Sequence, residues 1–89
     1  MDSYTSNIKI QRSIMKAEIW TKQNCPYCVR AKALFEQKGV EYTEFTIGEG
    51  VTREQLLERA PNARTVPQIW LDNSYVGGYT ELAAFYGKS

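Results

Sequence analysis

The order of apolar runs and turn residues predicts an α/β domain, a four-stranded mixed sheet flanked by three helices. Three observations carry that expectation. Short runs rich in β-branched and aromatic residues alternate with segments of helical period, the pattern of βαβ units. Gly39 and Pro61 punctuate the first two helical segments. The last two strand-like runs are separated only by "DNS", which makes them an antiparallel hairpin.

Taken in order, "AEIWT" (17–21) is the first strand, dense in β-formers. "CPYCVRAKALFEQKG" (25–39) is the first helix. Pro26 falls in its first turn, where a missing N–H costs nothing. Ala31, Leu34 and Phe35 repeat at i, i+3 and i+4 as a buried stripe, and Gly39 stops the helix. "VEYTEFTI" (40–47) is the second strand, so strand, helix and strand predict a parallel pair with a right-handed crossover. In "VTREQLLERAP" (51–61), Thr52 and Gln55 have capping-box spacing and Pro61 closes the helix. "PQIWL" and "SYVGG" are the third and fourth strands. Thr80 is the expected N-cap of a last helix, "ELAAFYGK". Residues 1–15 read as a polar tail with a short edge strand at Ile8 to Ile10, and residues 16–89 as the domain.

Composition narrows the function. A chain of 89 residues holds one domain, and its 43% apolar content is too high for a disordered one. Eleven basic against ten acidic residues, a net charge of +1 and no single-sign run exclude nucleic-acid binding by bulk charge. No stretch approaches the roughly 20 apolar residues of a membrane helix. The N-terminal "MDSYTSNIKIQRSI" lacks the apolar core and cleavage site of a signal peptide. The expectation is a soluble cytoplasmic protein, in which a disulfide would be transient rather than architectural.

The two cysteines, Cys25 and Cys28, stand two residues apart. A zinc site needs about four ligands, and two cysteines with no histidine do not supply them. A structural staple gains little, because the stabilisation from a disulfide falls as its loop shortens. Two packed spectator thiols fit a C-x-x-C after a strand and at a helix start poorly. A redox pair explains the placement. Unpaired backbone N–H groups and the dipole at a helix N-terminus favour a thiolate, so more nucleophile exists at neutral pH. Cys25, at the exposed helix start, should attack. Cys28, one turn on and nearer the core, can resolve the mixed disulfide. Lys22 adds positive potential nearby.

"CPYC" opening a helix, then "TVPQIWLD", then "GGYTEL", in this order and spacing, resembles the glutaredoxins from about Lys16 to Lys88. The small dithiol members of bacteria and their phages are the most similar in "CPYCVRAK" and "GGYTELAAF". The resemblance implies a thioredoxin fold, glutathione as co-substrate and no metal. It implies that Pro67 is cis and sets the Val66 backbone beside the cysteines, where an extended peptide pairs with it. Glutathione would meet Lys22 through its glycine carboxylate, Tyr27 beside its sulfur, and Thr65 and Val66 through backbone groups. Its γ-glutamyl end would rest on Gly78, Tyr79, Thr80 and Glu81, the carboxylate at the N–H groups opening the last helix. Family members commonly carry Asp where this chain has Glu81. Implied partners are disulfide-bonded or glutathionylated proteins, ribonucleotide reductase being a frequent client, and the implied unit is a monomer. The alternative is a dimeric iron–sulfur scaffold with two glutathiones. Pro26 and Cys28 argue against it, because monothiol cluster-binding relatives typically have Gly-Phe and Ser there. A reductant driven by a flavoprotein, as thioredoxins are, conflicts with "GGYTEL" and Lys22.

Overall fold

The computed structural model describes residues 16–87. The expected tail, with its edge strand at Ile8 to Ile10, lies outside the described residues. The elements are β1 (Lys16–Thr21), α1 (Pro26–Lys38), β2 (Glu41–Thr46), α2 (Arg53–Arg59), β3 (Gln68–Leu71), β4 (Ser74–Gly77) and α3 (Tyr79–Gly87). The sheet order is β2-β1-β3-β4, with β1 and β2 parallel and the other two pairings antiparallel. This is the four-stranded mixed sheet with three helices of a thioredoxin fold.

Alternation along the central strands divides the core between the two faces of the sheet. Ala17 and Ile19 of β1 and Ile69 and Leu71 of β3 pack with Ala31 and Phe35 of α1 and Leu82 of α3. On the other face Trp20 and Trp70 pack with Leu56 of α2 and with Ala60. A fully buried Phe, Ile or Leu contributes about 1.5–3 kcal/mol over its exposed state, so Phe35, Ile19, Ile69 and Leu82 dominate the first cluster.

Polar contacts fix how α2 sits. Arg59 donates from Nε and Nη2 to the two Glu18 carboxylate oxygens at 2.9 and 2.8 Å. Trp20 Nε1 donates to the same carboxylate at 2.6 Å, and the Arg59 guanidinium lies 4.5 Å above the Trp70 ring. The hydrogen bond from Arg59 holds the Glu18 carboxyl below its ordinary range, against the upward push of burial.

The end signals act where the sequence places them. Pro26 opens α1, and Gly39 ends it at φ 71°. The Thr52 side chain accepts from the Gln55 N–H, and the Gln55 side chain accepts from the Thr52 N–H, a complete capping box. Asp72 and Asn73, at φ 50° and 69°, form the hairpin turn between β3 and β4. The last helix departs from expectation. It begins at Tyr79, and Gly78 O accepts from the Leu82 N–H at 3.0 Å. Gly78 therefore occupies the N-cap position and Thr80 lies inside the first turn. The reciprocal bond explains the earlier start: Gly78 N–H donates to Glu81 Oε1 at 2.8 Å, half of a capping box without a capping hydroxyl.

Candidate active site

Cys25 sits where β1 gives way to α1. Asn24 turns the chain at φ 58°, and Cys25 follows in extended conformation as the N-cap of α1. Its Sγ takes the place of a capping hydroxyl, accepting from the Cys28 N–H at 3.1 Å. With no acidic residue in the first turn of α1, nothing there opposes negative charge on that sulfur. Cys25 and Cys28 are joined as a disulfide, their Cα atoms 5.2 Å apart. Cys25 is more covered than a bare helix start would be, at 8% exposed against 2% for Cys28. The bridge and the Val66 carbonyl oxygen, 3.9 Å from Cys25 Sγ, account for the cover.

The loop ahead of β3 forms the other wall. The Val66–Pro67 peptide is cis. Gln68, 5% exposed, holds this loop by donating from Nε2 to Thr65 O at 2.8 Å, while its Oε1 accepts from the Tyr75 hydroxyl. Sequence reading passed over Gln68. The available signal was a polar residue on the Trp70 side of an otherwise apolar strand.

Eight of the residues singled out in the sequence line one groove of about 300 Å³: Tyr27, Thr65, Val66, Pro67, Gly78, Tyr79, Thr80 and Glu81. The Tyr27 and Tyr79 rings stand 5.9 Å apart, and Tyr27 is 55% exposed. Two glycines let the walls meet. A Cβ on Gly77, at φ 124°, would lie 2.9 Å from Glu81 Cγ, and one on Gly78 would lie 3.3 Å from Pro67 O. Gly78, Tyr79 and Thr80, at the start of α3, line this groove, and a helix N-terminus attracts anions.

Lys22 is not part of that groove. It lines a neighbouring cleft with both cysteines, Lys32, Glu44 and Glu49. There Glu44 Oε2 accepts from Thr21 Oγ1 at 2.7 Å, Lys32 Nζ at 3.0 Å and Thr46 Oγ1 at 3.4 Å. Burial pushes the Glu44 carboxyl up, but these bonds outweigh it and hold it below the ordinary range. Lys22 also borders a small apolar hollow with Arg53 and Arg64. Among the described residues no cluster of three or more His, Cys, Asp or Glu side chains is arranged to hold a metal.

A strand ending in a C-x-x-C helix start, faced by a cis-proline loop and flanked by a helix N-terminus, is the layout of a dithiol exchange site, and comparison with known proteins agrees. The glutaredoxin family model matches residues 17–76. Glutaredoxin 3 of Escherichia coli is 47% identical over 68 residues, which are 75% of this chain and 81% of that protein. The crystal structure of glutaredoxin 1 from Francisella tularensis, complexed with cacodylate, superposes with a TM-score of 0.71 at 36% identity, covering 83% of this chain and 94% of that one. The fold is shared at a TM-score of 0.72 and 24% identity by a buckwheat glutaredoxin solved with glutathione, over 85% of this chain and 72% of that one. With a matching family model and a relative of this identity, the chain belongs to the glutaredoxin family of thiol–disulfide oxidoreductases.

Proposed function

We propose that this glutaredoxin reduces protein disulfides and glutathione mixed disulfides, with Cys25 as nucleophile, Cys28 as resolving thiol and glutathione as reductant. The observation that carries the reading is the groove beside Cys25. It joins the Val66 residue ahead of the cis-proline, two tyrosine rings and a helix N-terminus, features that suit a dicarboxylate tripeptide with a central thiol. The buckwheat protein's glutathione complex supports it.

In the proposed cycle Cys25 thiolate attacks one substrate sulfur, forming a mixed disulfide and releasing the other sulfur as a thiolate that takes a proton from water. Cys28 thiolate then attacks Cys25 Sγ, closing the 25–28 bridge and freeing the second thiol. A glutathione thiolate reopens the bridge at Cys25. A second glutathione releases it as glutathione disulfide and restores the dithiol. Two electrons pass from two glutathiones to one substrate disulfide. When the substrate is itself glutathionylated, Cys25 suffices.

Within the groove, Val66 and Thr65 offer backbone groups to the cysteinyl unit, Pro67 shapes the wall and Tyr27 flanks the sulfur. The γ-glutamyl carboxylate goes to the N–H groups at Tyr79 and Thr80, beside Gly78, and its ammonium to Glu81. Lys22, which lines a hollow together with Thr65 and Val66, takes the glycine carboxylate. Clients are disulfide-bonded or glutathionylated proteins, ribonucleotide reductase among them, served by a monomer in the cytoplasm, where a reducing glutathione pool recharges it.

The test is NADPH-coupled reduction of a glutathione mixed disulfide, with glutathione and glutathione reductase. Wild type and Cys28→Ser turn over and Cys25→Ser does not. An inactive wild type would reject the reading.

A further inference from the structure

The resolving thiol has charged neighbours to which the proposed cycle gives no part. Cys28 and Lys32 stand one turn apart on α1, at i and i+4, and share a face of the helix. Both line the cleft beside the active site, and Glu44 of β2 lines it with them. Lys32 Nζ donates to Glu44 Oε2 at 3.0 Å, and the two side chains are only 28% and 29% exposed. Thr21 ends β1 opposite Thr46 of β2, and both hydroxyls donate to that same carboxylate oxygen. Thr21 is 1% exposed, so a buried hydroxyl is committed to holding Glu44.

An ordinary surface ion pair has no such support and contributes little. Here β1, β2 and α1 together fix one cation and one anion beside a sulfur that is 2% exposed. Burial pushes the Glu44 carboxyl up, but the bonds from Thr21 and Lys32 hold it below the ordinary range, so it is an anion at neutral pH. Charges partly shielded from water act on a neighbouring thiol more strongly than solvated ones. A cation favours the thiolate and an anion the thiol, so the pair holds two opposed effects in balance.

We propose that Lys32 and Glu44 are positioning residues for Cys28, a charge pair that sets how much of the resolving sulfur is thiolate. The proposal rests on the reading of Cys28 as the resolving thiol. Only the thiolate attacks Cys25 Sγ, forming the 25–28 bond and expelling the client's sulfur as a thiolate. The pair therefore decides, at a given pH, whether an adduct on Cys25 closes internally or waits for glutathione. Other charges nearby are placed differently. Lys22 and Glu49 line the same cleft, Glu49 accepting from Gln23 Nε2. Arg30 of α1 lies 5.4 Å above the Tyr27 ring, and Glu81 of α3 lines the tyrosine groove.

The test is titration of Cys28 in a Cys25→Ser background, where it is the chain's one remaining cysteine. Thiolate absorbance reads the midpoint, and the same protein with Cys28→Ser subtracts the tyrosines. Glu44→Gln leaves the cation unopposed and moves the midpoint down by about one pH unit. Lys32→Met leaves the anion unopposed and moves it up by about as much. Lys32→Arg, which keeps the charge, and the neutral double variant both stay near the parent. Opposite signs are the signature, because loosened packing would move both single variants the same way. With Cys25 present, hydroxyethyl disulfide, small and uncharged, loads that cysteine without glutathione, and acid quench with alkylation separates the adduct from the closed bridge. Closure at pH 7 is several-fold faster in Glu44→Gln and several-fold slower in Lys32→Met. Unshifted midpoints, or shifts of one sign in both variants, would overturn the proposal. A wild type that forms the adduct but never closes the bridge would instead reject the reading of Cys28 on which it rests, whatever the titration shows.

Discussion

The Cys28 N–H donates to Cys25 Sγ at 3.1 Å, so in the proposed cycle one residue would both stabilise the attacking sulfur and supply the thiol that resolves its adduct. The two roles use different atoms. Stabilisation comes from the backbone and resolution from the side chain, which makes them separable by mutation.

Cys28→Ser keeps the backbone donor and removes only the resolving thiol. Cys25 in that variant should be carbamidomethylated by iodoacetamide at pH 7 about tenfold faster than a cysteine in an unstructured peptide, because a helix-start thiolate is the populated nucleophile. Activity on a glutathione mixed disulfide persists and that on a protein disulfide falls. An alkylation rate equal to that of the free peptide would show that the N-cap geometry does not activate the sulfur.

Glu81 combines an observed contact with a proposed role. Its Oε1 accepts from Gly78 N–H at 2.8 Å, and its charge lies on the groove assigned to the γ-glutamyl ammonium. Glu81→Gln preserves the cap, since glutamine serves in a capping box. It should leave thermal stability within about 0.5 kcal/mol while raising KM for glutathione several-fold. Glu81→Ala should lose both, with stability down by about 1 kcal/mol. An unchanged KM in Glu81→Gln would remove Glu81 from ligand recognition.

Gly77 is the position most constrained by that side chain. Alanine there would be strained at φ 124° and would press on Glu81 Cγ at 2.9 Å. Gly77→Ala should cost about 1–3 kcal/mol. Adding Glu81→Ala removes the Cγ contact but keeps Cβ at 3.1 Å and leaves the backbone strained, so the double variant should show partial recovery beyond additivity in urea titrations. Full additivity would mean that the glycine is required for its dihedral angle alone.

Much of this was legible because local and tertiary signals coincide. Pro26, Gly39, the Thr52–Gln55 pair and the Asp72–Asn73 turn each act within a few residues, and the structure uses them all. The start of α3 was misplaced because Thr80 is a better capping residue than Gly78, and the contact that decides the matter comes from Glu81 reaching back. Lys22 stands near Cys25 in the sequence, but sequence distance does not say which pockets beside a helix start its side chain lines. The tie from Gln68 to Thr65 and the hollow at Leu57 and Arg53 need the approach of α2, β3 and the intervening loop, which no local pattern encodes.

That approach of α2 yields a pH prediction. Glu18 is largely covered, at 22% side-chain exposure, and its carboxyl is held below its ordinary value of 4.5, first by the Arg59 hydrogen bonds and further by Trp20, against burial. A carboxyl depressed in the folded state stabilises the protein above its unfolded value, and that contribution is lost as pH falls through the folded one. Glu44 is depressed too, and its contribution is lost in the same direction. Glu18→Gln keeps the size and the acceptor oxygen but not the charge. It should cost about 1 kcal/mol at pH 7, the scale of a part-exposed bidentate pair. The cost should shrink below pH 4.5 and vanish once wild-type Glu18 is protonated. Urea unfolding of both proteins at pH 7 and pH 3 reads this directly. A gap that stays constant between the two pH values would mean that the ionisation of Glu18 contributes nothing to stability.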